Sequence, residues 1–523
     1  MTLSHDLAVF QKNRSLRGPL PSGTAPYTCS DFYKSTAPGG KQKALHWDHR
    51  LSNERQNLQS SPLKDASRGG AQKALISLGT ARPSPEHFPW ESMTLQCLRH
   101  AAAAGQADAM STISMKATKG ESAYDLGIPM NYGYSAGSPQ ALRFVTEHVE
   151  LIHNPPYEDW GCCLTCGTTS AIDIAFRILC NPGDTVLVEQ HTYSGTMASA
   201  KLQGLKLLGI EMDDLGLVPE DLDQKLQNWD YARGTKPFVL YMIPTGQNPT
   251  GTTQSLRRRK AIYDIAERHD LYILEDDPYY FLQLGNAAPE STIQQRNDAS
   301  AREEYMKSLT ASYLSMDTSG RVLRMDTTSK ILAPGLRCGW VTGCAQIIEK
   351  FVGYSEVGVL SPSGPSQVMV YKLLDESWGH EGFLDWLMSL SAQYRCRRDY
   401  FMKACRRYLP PNVCRWKVPE EGMFLWITME TSDLWEPRRI ESPSHCLDIE
   451  DRIYTRAVDN GVLVSKGSWF TSEVEKIYDI HFRLTFAAAP FKELAGAVQR
   501  FANAVRSELS NRRIKMQENR QQP

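Results

Sequence analysis

Arg324-Met-Asp-Thr-Thr-Ser-Lys330-Ile-Leu-Ala-Pro-Gly-Leu-Arg337-Cys-Gly339 decides how this chain is read. The run Arg321-Val-Leu-Arg-Met325 predicts a buried strand leading into it. A hydroxyl-rich turn then precedes one lysine, a Pro-Gly bend follows, and an arginine stands seven positions beyond Lys330. This layout suits a lysine that holds an aldehyde as a Schiff base while Thr327, Ser329 and Arg337 grip a phosphate. On its own, a lysine after a serine is far more often a surface residue.

Working outward, helices alternate with short β-branched runs from about residue 160. Ser170 to Leu179 has helical spacing of apolar residues, Asn181-Pro-Gly-Asp184 ends it, and Thr185-Val-Leu-Val-Glu189 is a strand. Phe238–Ile243, Leu271–Glu275, Arg321–Met325 and Gly339–Thr342 continue the series, with an amphipathic helix from Ser255 to His269. The alternation predicts an α/β domain with a mostly parallel sheet covered on both faces. Beyond about residue 380, a helix rich in Arg and Tyr (Ser391 to Tyr408) leads into strands at Gly422–Thr428, Gly461–Ser465 and His481–Phe486 and a helix at about 490–508. This reads as a smaller α+β domain.

In a parallel α/β sheet, ligands gather beyond the C-terminal ends of the strands. Three segments fall there: Pro244-Thr-Gly-Gln-Asn248-Pro-Thr-Gly251, Asp276-Asp277-Pro278-Tyr279-Tyr280, and the Lys330 segment. Each alone is ambiguous. Asn-Pro-Thr-Gly is usually a turn, and Asp-Asp-Pro is usually a solvated loop. Their joint order has a chemical reading in pyridoxal 5'-phosphate (PLP). Asp276 would sit against the pyridine nitrogen and keep it protonated, so that the ring accepts electrons. Tyr279 and Asn248 would donate hydrogen bonds to the ring oxygen. Lys330 would first hold the cofactor and, once freed, move a proton between the substrate α-carbon and the cofactor. Cys166-Gly167-Thr168-Thr169-Ser170 stands before a predicted helix, whose N-terminus would take the phosphate at Thr168 and Thr169, completed by Thr327, Ser329 and Arg337. Tyr193, in His191-Thr-Tyr-Ser-Gly195, is placed to lie over or beside the ring; the alternative is an ordinary strand-end aromatic.

These residues carry a resemblance. From about residue 75 to about 500, the chain resembles fold type I PLP aminotransferases, and most of all the subgroup of fungal aromatic and kynurenine/2-aminoadipate aminotransferases. Asn248-Pro-Thr-Gly251, Glu275-Asp-Asp-Pro-Tyr-Tyr-Phe281, Ser329-Lys330 with Pro334-Gly-Leu-Arg337, and His481-Phe-Arg483 carry it most specifically. The resemblance implies a seven-stranded sheet in the large domain. It implies that Arg483 clamps the substrate α-carboxylate, with Asn248 also reaching the substrate. It implies a homodimer with shared active sites, in which Tyr132 of Asn131-Tyr-Gly-Tyr-Ser-Ala-Gly137 reaches the partner's cofactor phosphate. The implied reaction is transamination of aromatic L-amino acids, with a 2-oxo acid such as 2-oxoglutarate as acceptor. Alternatives are a 2-aminoadipate or kynurenine aminotransferase, a PLP-dependent lyase, or a PLP-binding transcriptional regulator. Two departures stand out. Leu78-Gly-Thr-Ala-Arg82-Pro replaces a glycine-rich stretch, leaving Arg82 to meet an acidic substrate or water, and Thr168-Thr169 replaces a Ser-Gln pair.

Bulk properties narrow the field. The chain has 523 residues, 41% of them hydrophobic, enough for a large core and two domains. Fifty-eight Lys plus Arg against 59 Asp plus Glu give no support for nucleic acid or an anionic membrane as partner. No apolar run approaches a membrane span. Residues 1–75 show no convincing helix-turn-helix, which argues against the regulator. The start of the chain lacks a secretory core and has Lys12, Arg14 and Arg17 against Asp6 within its first 30 residues. A cytoplasmic protein is expected, with a mitochondrial presequence as the lesser reading. Cys162, Cys163 and Cys166 are read as small buried strand residues rather than metal ligands, and His46-Trp-Asp-His49 as a surface segment. The expected division is a flexible tail or loosely docked arm at 1–40, an N-terminal arm and part of the small domain at 41–120, the PLP-binding domain at 121–375, the small domain at 376–510 and a tail at 511–523. Residues 285–318 read as a polar surface insertion, its 285–305 part lying outside the family match.

Overall fold

Strands buried on both faces build the centre of this chain, seen in a computed structural model that describes residues 3–21, 23–35, 39–57, 81–98, 112–121, 124–285, 298–430, 442–473, 475 and 479–521. They are β1 (Trp160–Thr165), β2 (Thr185–Glu189), β3 (Lys206–Ile210), β4 (Val239–Met242), β5 (Tyr272–Asp276), β6 (Val322–Thr327) and β7 (Gly339–Cys344). The seven-stranded order is β1-β7-β6-β5-β4-β2-β3. Every neighbouring pair is parallel except those made by β7, which runs against both β6 and β1. All but the edge strand β3 are buried at every position, so their sequences show no in–out alternation, and the charged residues among them pair inside, as Arg324 does with Glu275 and Asp326. The register places Met325 beside Asp276, and Gly339 beside both Thr327 and Thr165. One rim of the sheet thus gathers the ends of β1, β5 and β6 with the start of β7.

Helices α1 (Leu3–Arg17), α2 (Pro139–Ile152), α3 (Thr168–Leu179), α4 (Ser194–Leu202), α5 (Leu256–Arg268), α6 (Ala299–Ser308) and α7 (Ala345–Gly358) accompany the sheet. The start of α2 follows from its sequence: Ser138 caps it by accepting from Ala141 N, and Pro139 occupies the first turn. The helix α8 (Gly379–Tyr408) leads to a second, antiparallel sheet of β8 (Cys414–Arg415), β9 (Phe424–Met429), β10 (Ser465–Lys466) and β11 (Ile480–Thr485), in the order β8-β9-β11-β10. Here residues alternate. Leu425, Ile427, Phe482 and Leu484 are buried, and Phe482 meets Phe501 of α9 (Leu494–Gln521) at 5.3 Å between ring centres. Trp426 pairs with Arg483, and Thr428 with His481, on the opposite face.

Three expectations change and one resolves. Of the two readings of residues 1–40, the docked arm is the one seen, because α1 is fixed to the body. Arg14 donates from Nε to Glu147 at 2.9 Å and from Nη2 to Asp375 at 2.5 Å, and Phe10 lies 5.6 Å from the His380 ring. Two buried acids on the body supply a dock that composition does not announce. Trp47 is fully buried, in edge contact with Tyr272 at 5.1 Å, so His46–His49 is not wholly a surface segment. Within 285–318, residues 286–297 lie outside the described residues, but Ala299–Ser308 is a helix capped by Asp298, and its Tyr305 donates to Phe281 O at 2.7 Å. Within 511–523, α9 continues through Gln521 rather than giving way to a tail.

Candidate active site

Asp276 ends β5 with its side chain buried. Tyr241 of β4 donates its hydroxyl to Asp276 Oδ2 at 2.6 Å, while Oδ1 is buried without a hydrogen-bond partner. Burial pushes the Asp276 carboxyl up to about 6; the Tyr241 bond opposes this. An unpaired buried carboxylate oxygen is costly unless a donor arrives. The two flanking acids differ: Arg324 pairs with Glu275 at 3.0 Å and with Asp277 at 3.2 Å.

Lys330 follows the turn that leaves β6. Thr328 Oγ1 donates to Cys338 O at 2.8 Å, closing the base of the segment. Thr327 is buried, and its hydroxyl bonds Ser329 Oγ at 2.9 Å and Cys338 O at 3.3 Å, which places Thr327 as a brace of the turn. Trp386 of α8 donates its indole N–H to Ile331 O at 2.6 Å, next to the lysine. Burial, then the charge of Arg483, pulls the Lys330 amine below the usual lysine value, while Asp276 opposes. A larger fraction of neutral amine suits a nucleophile and a base.

A cradle forms where α3 begins. Gly167 precedes Thr168 with φ +85°, a backbone that favours glycine. Arg337 Nη2 donates to Cys166 O at 3.1 Å, and a Cβ on Gly167 would stand 2.5 Å from that Nη2. The exposed N–H groups at Thr168 and Thr169, the arginine and the Ser329 turn therefore share one corner, a ready anion site.

Across the site stands Arg483 of β11. Its Nη1 donates to Asn248 Oδ1 at 2.7 Å and its Nη2 to Ser465 Oγ at 3.1 Å. Tyr279 is buried in edge contact with Phe424 at 5.3 Å, and burial together with Asp276 pushes its phenol well above the usual value, so it stays a neutral donor. Asn248 and Tyr193 stand near Tyr279, and Tyr193 stands near Arg483. Two expected residues stand apart from the rest: Thr327 commits its hydroxyl to its own turn, and Tyr132 is 58% exposed. Arg82 donates to Thr24 O at 3.1 Å, and Leu78 to Thr80 lie outside the described residues. Among the described residues no His/Cys/Asp/Glu group is arranged to hold a metal; Cys162 and Cys163 are buried in β1, and Cys166 lies just past its end.

Tyr241, Trp386, Ser465, Phe424 and Phe470 were not singled out from sequence. The first could have been sought, since a strand neighbouring Asp276 must supply its partner. The rest depend on tertiary approach.

Residues 103–501 match the model of the family described as aminotransferase class I and II, and the chain belongs to that family. The family is PLP-dependent. The residues fit that group: Asp276 Oδ1 lacks a donor, and the corner at Gly167 and Arg337 leaves no room for a Cβ. Among relatives, aminotransferase swnA of Arthroderma benhamiae is 49% identical over 474 residues, covering 90% of this chain and 93% of that one. An aromatic amino acid aminotransferase of Schizosaccharomyces pombe is 38% identical over 470 residues, covering 88% and 97%. The crystal structure of aminotransferase Aro8 from Candida albicans has a TM-score of 0.80 at 36% identity, covering 90% of this chain and all of that one.

Proposed function

We infer that this enzyme transfers the amino group of aromatic L-amino acids to a 2-oxo acid such as 2-oxoglutarate, yielding aryl-pyruvates. One observation carries the substrate reading: Arg483 is charged, half-buried and flanked by the Phe424 and Phe470 rings. A carboxylate suits its fork, and an aromatic side chain suits its surroundings. The names of the Schizosaccharomyces pombe and Candida albicans relatives support the same class.

Bound PLP supplies an electron-accepting ring and an aldehyde carbon that ferries the amino group. Lys330 holds it, and its freed Nζ takes the proton from the substrate α-carbon. Asp276 keeps a proton on the ring nitrogen through Oδ1. Asn248 commits its carbonyl to Arg483, which leaves its amide N–H free to donate, and that N–H and the Tyr279 hydroxyl would serve the ring oxygen. Thr168, Thr169, Ser329 and Arg337 would hold the phosphate, with Thr327 bracing the turn, and Tyr193 would lie beside the ring. Tyr132 would complete the phosphate site of a second copy in a homodimer, and its exposure in one chain agrees with that role. We place the enzyme in the cytoplasm.

Borohydride reduction of the holoenzyme should label the peptide carrying Lys330. A panel of Phe, Tyr, Trp, kynurenine, 2-aminoadipate and Leu, followed by loss and return of cofactor absorbance, tests the substrate class. Preference for 2-aminoadipate or Leu over all three aromatic amino acids would reject it. Light scattering should give twice the chain mass.

A further inference from the structure

Arg483 is held by more than its polar contacts. Its Cζ lies 4.7 Å from the centre of the Phe424 ring and 4.6 Å from that of Phe470. Both rings are buried. Burial pulls its pKa below the usual arginine value; Tyr279 and Tyr193 oppose this, and no acid does. An acid at this place would stabilise the cation but compete with an incoming carboxylate. A phenyl face attracts the cation through its quadrupole and leaves the N–H edge available. Asn248 and Ser465 each take one N–H, so Nε and the second N–H of each terminal nitrogen remain for a two-point contact.

Phe470 is fixed from the other sheet's side. Thr192 N donates to Phe470 O at 2.7 Å and Ser472 N donates to Gln190 O at 3.0 Å. An antiparallel bridge joins His191 and Thr471. The Phe470 ring also meets Trp426 edge-on at 6.4 Å. The loop that carries Tyr193 therefore sets where Phe470 stands, and Phe470 sets where the guanidinium stands.

We propose that Phe424 and Phe470 are positioning residues for carboxylate capture, holding the Arg483 guanidinium charged, unneutralised and in one orientation before substrate arrives. The proposal rests on Arg483 as the α-carboxylate clamp. It applies to amino acids and 2-oxo acids alike, whatever their side chains. Without the rings, a long side chain must be ordered during binding, which weakens affinity by about two- to tenfold.

The test titrates the holoenzyme by calorimetry with 3-phenylpropanoate and with 3-phenylpropanamide, neither of which has an amine to exchange. Phe470→Leu and Phe424→Leu should weaken the acid by about two- to tenfold and leave the amide within about twofold. Phe470→Tyr keeps an aromatic face and should bind the acid like the parent, which also controls for misfolding. In turnover, KM for Phe and for 2-oxoglutarate should rise together, by more than kcat falls. Unchanged acid affinity in both leucine variants overturns the proposal. Equal loss for acid and amide overturns it too, because the rings would then be a side-chain pocket. Arg483→Lys separates the two levels. If it also leaves acid affinity unchanged, the clamp itself is wrong. If it weakens the acid while the leucine variants do not, only the positioning role fails.

Discussion

Tyr241 and Asp276, on adjacent parallel strands, share a 2.6 Å hydrogen bond that occupies one carboxylate oxygen and leaves the other facing the site without a partner. Burial pushes the Tyr241 phenol well above its ordinary value, so the proton stays on the tyrosine and the donor is fixed. One strand thereby prepares the acid of the next.

That pairing makes cofactor uptake pH-dependent. The Asp276 carboxyl is held up at about 6, so PLP affinity of the apoenzyme should fall as pH drops through that value. The Tyr241 bond lowers this pKa, so Tyr241→Phe should move the midpoint upward by about one unit. Fluorescence titration of apoenzyme with PLP from acid to alkaline pH checks both. Asp276→Asn should retain bound cofactor yet slow proton abstraction about a hundredfold or more in stopped-flow absorbance.

Gly167→Ala should weaken PLP binding. The new Cβ would meet Arg337 Nη2 at 2.5 Å, on a backbone at φ +85°. With ψ at 168° this backbone lies in the extended positive-φ region that is essentially glycine's alone, where another residue costs about 1–3 kcal/mol before any displacement of the arginine. Equilibrium dialysis should show at least a tenfold loss of PLP affinity, an order-of-magnitude figure that follows from about 1.4 kcal/mol per decade.

Acid should destabilise the chain through two histidines in the seam between the sheets. Burial pulls His191 down to about 3 and His481 down to about 4. In the unfolded chain both take a proton near the ordinary value of about 6.5. Between these values the unfolded state binds more protons, so stability is full above about 6.5 and falls as pH drops toward 4. His481→Gln should reduce that slope by about one proton. Denaturant midpoints at pH 7, 6 and 5 provide the measurement.

Arg14→Ala should loosen α1. The guanidinium bridges Glu147 and Asp375, both 3% exposed, which would keep only His380 and Arg143 as partners. Losing one partner of a largely buried pair costs about 3 kcal/mol, less here because Arg14 is itself partly exposed. A lower Tm and faster tryptic cleavage after Arg17 are the expected results.

The strand-end order of Asn248, Asp276 and Lys330 was legible because each residue type has a chemical reason to follow a buried apolar run. The reversal of β7 was not, since a short apolar strand reads alike in either direction. Tyr241 was hidden for another reason: a tyrosine inside a strand looks like filling until the register sets it beside an acid. Trp386 reaches Ile331 from a helix far along the chain, and no spacing rule connects them. A docked arm was one of two readings of the first forty residues, but what holds α1 escaped, because it is one arginine on two distant acids.

Because β7 runs against β6, the chain comes back to the sheet at the rim it has just left. Thr328 N donates to Cys338 O at 3.0 Å and clasps the mouth of that return. Adding or deleting even one residue inside it would rotate Arg337 away from Gly167, whereas a helical crossover absorbs such changes. Variation in loop length is therefore channelled to other connections of the sheet, and engineering that reshapes this enzyme should begin there.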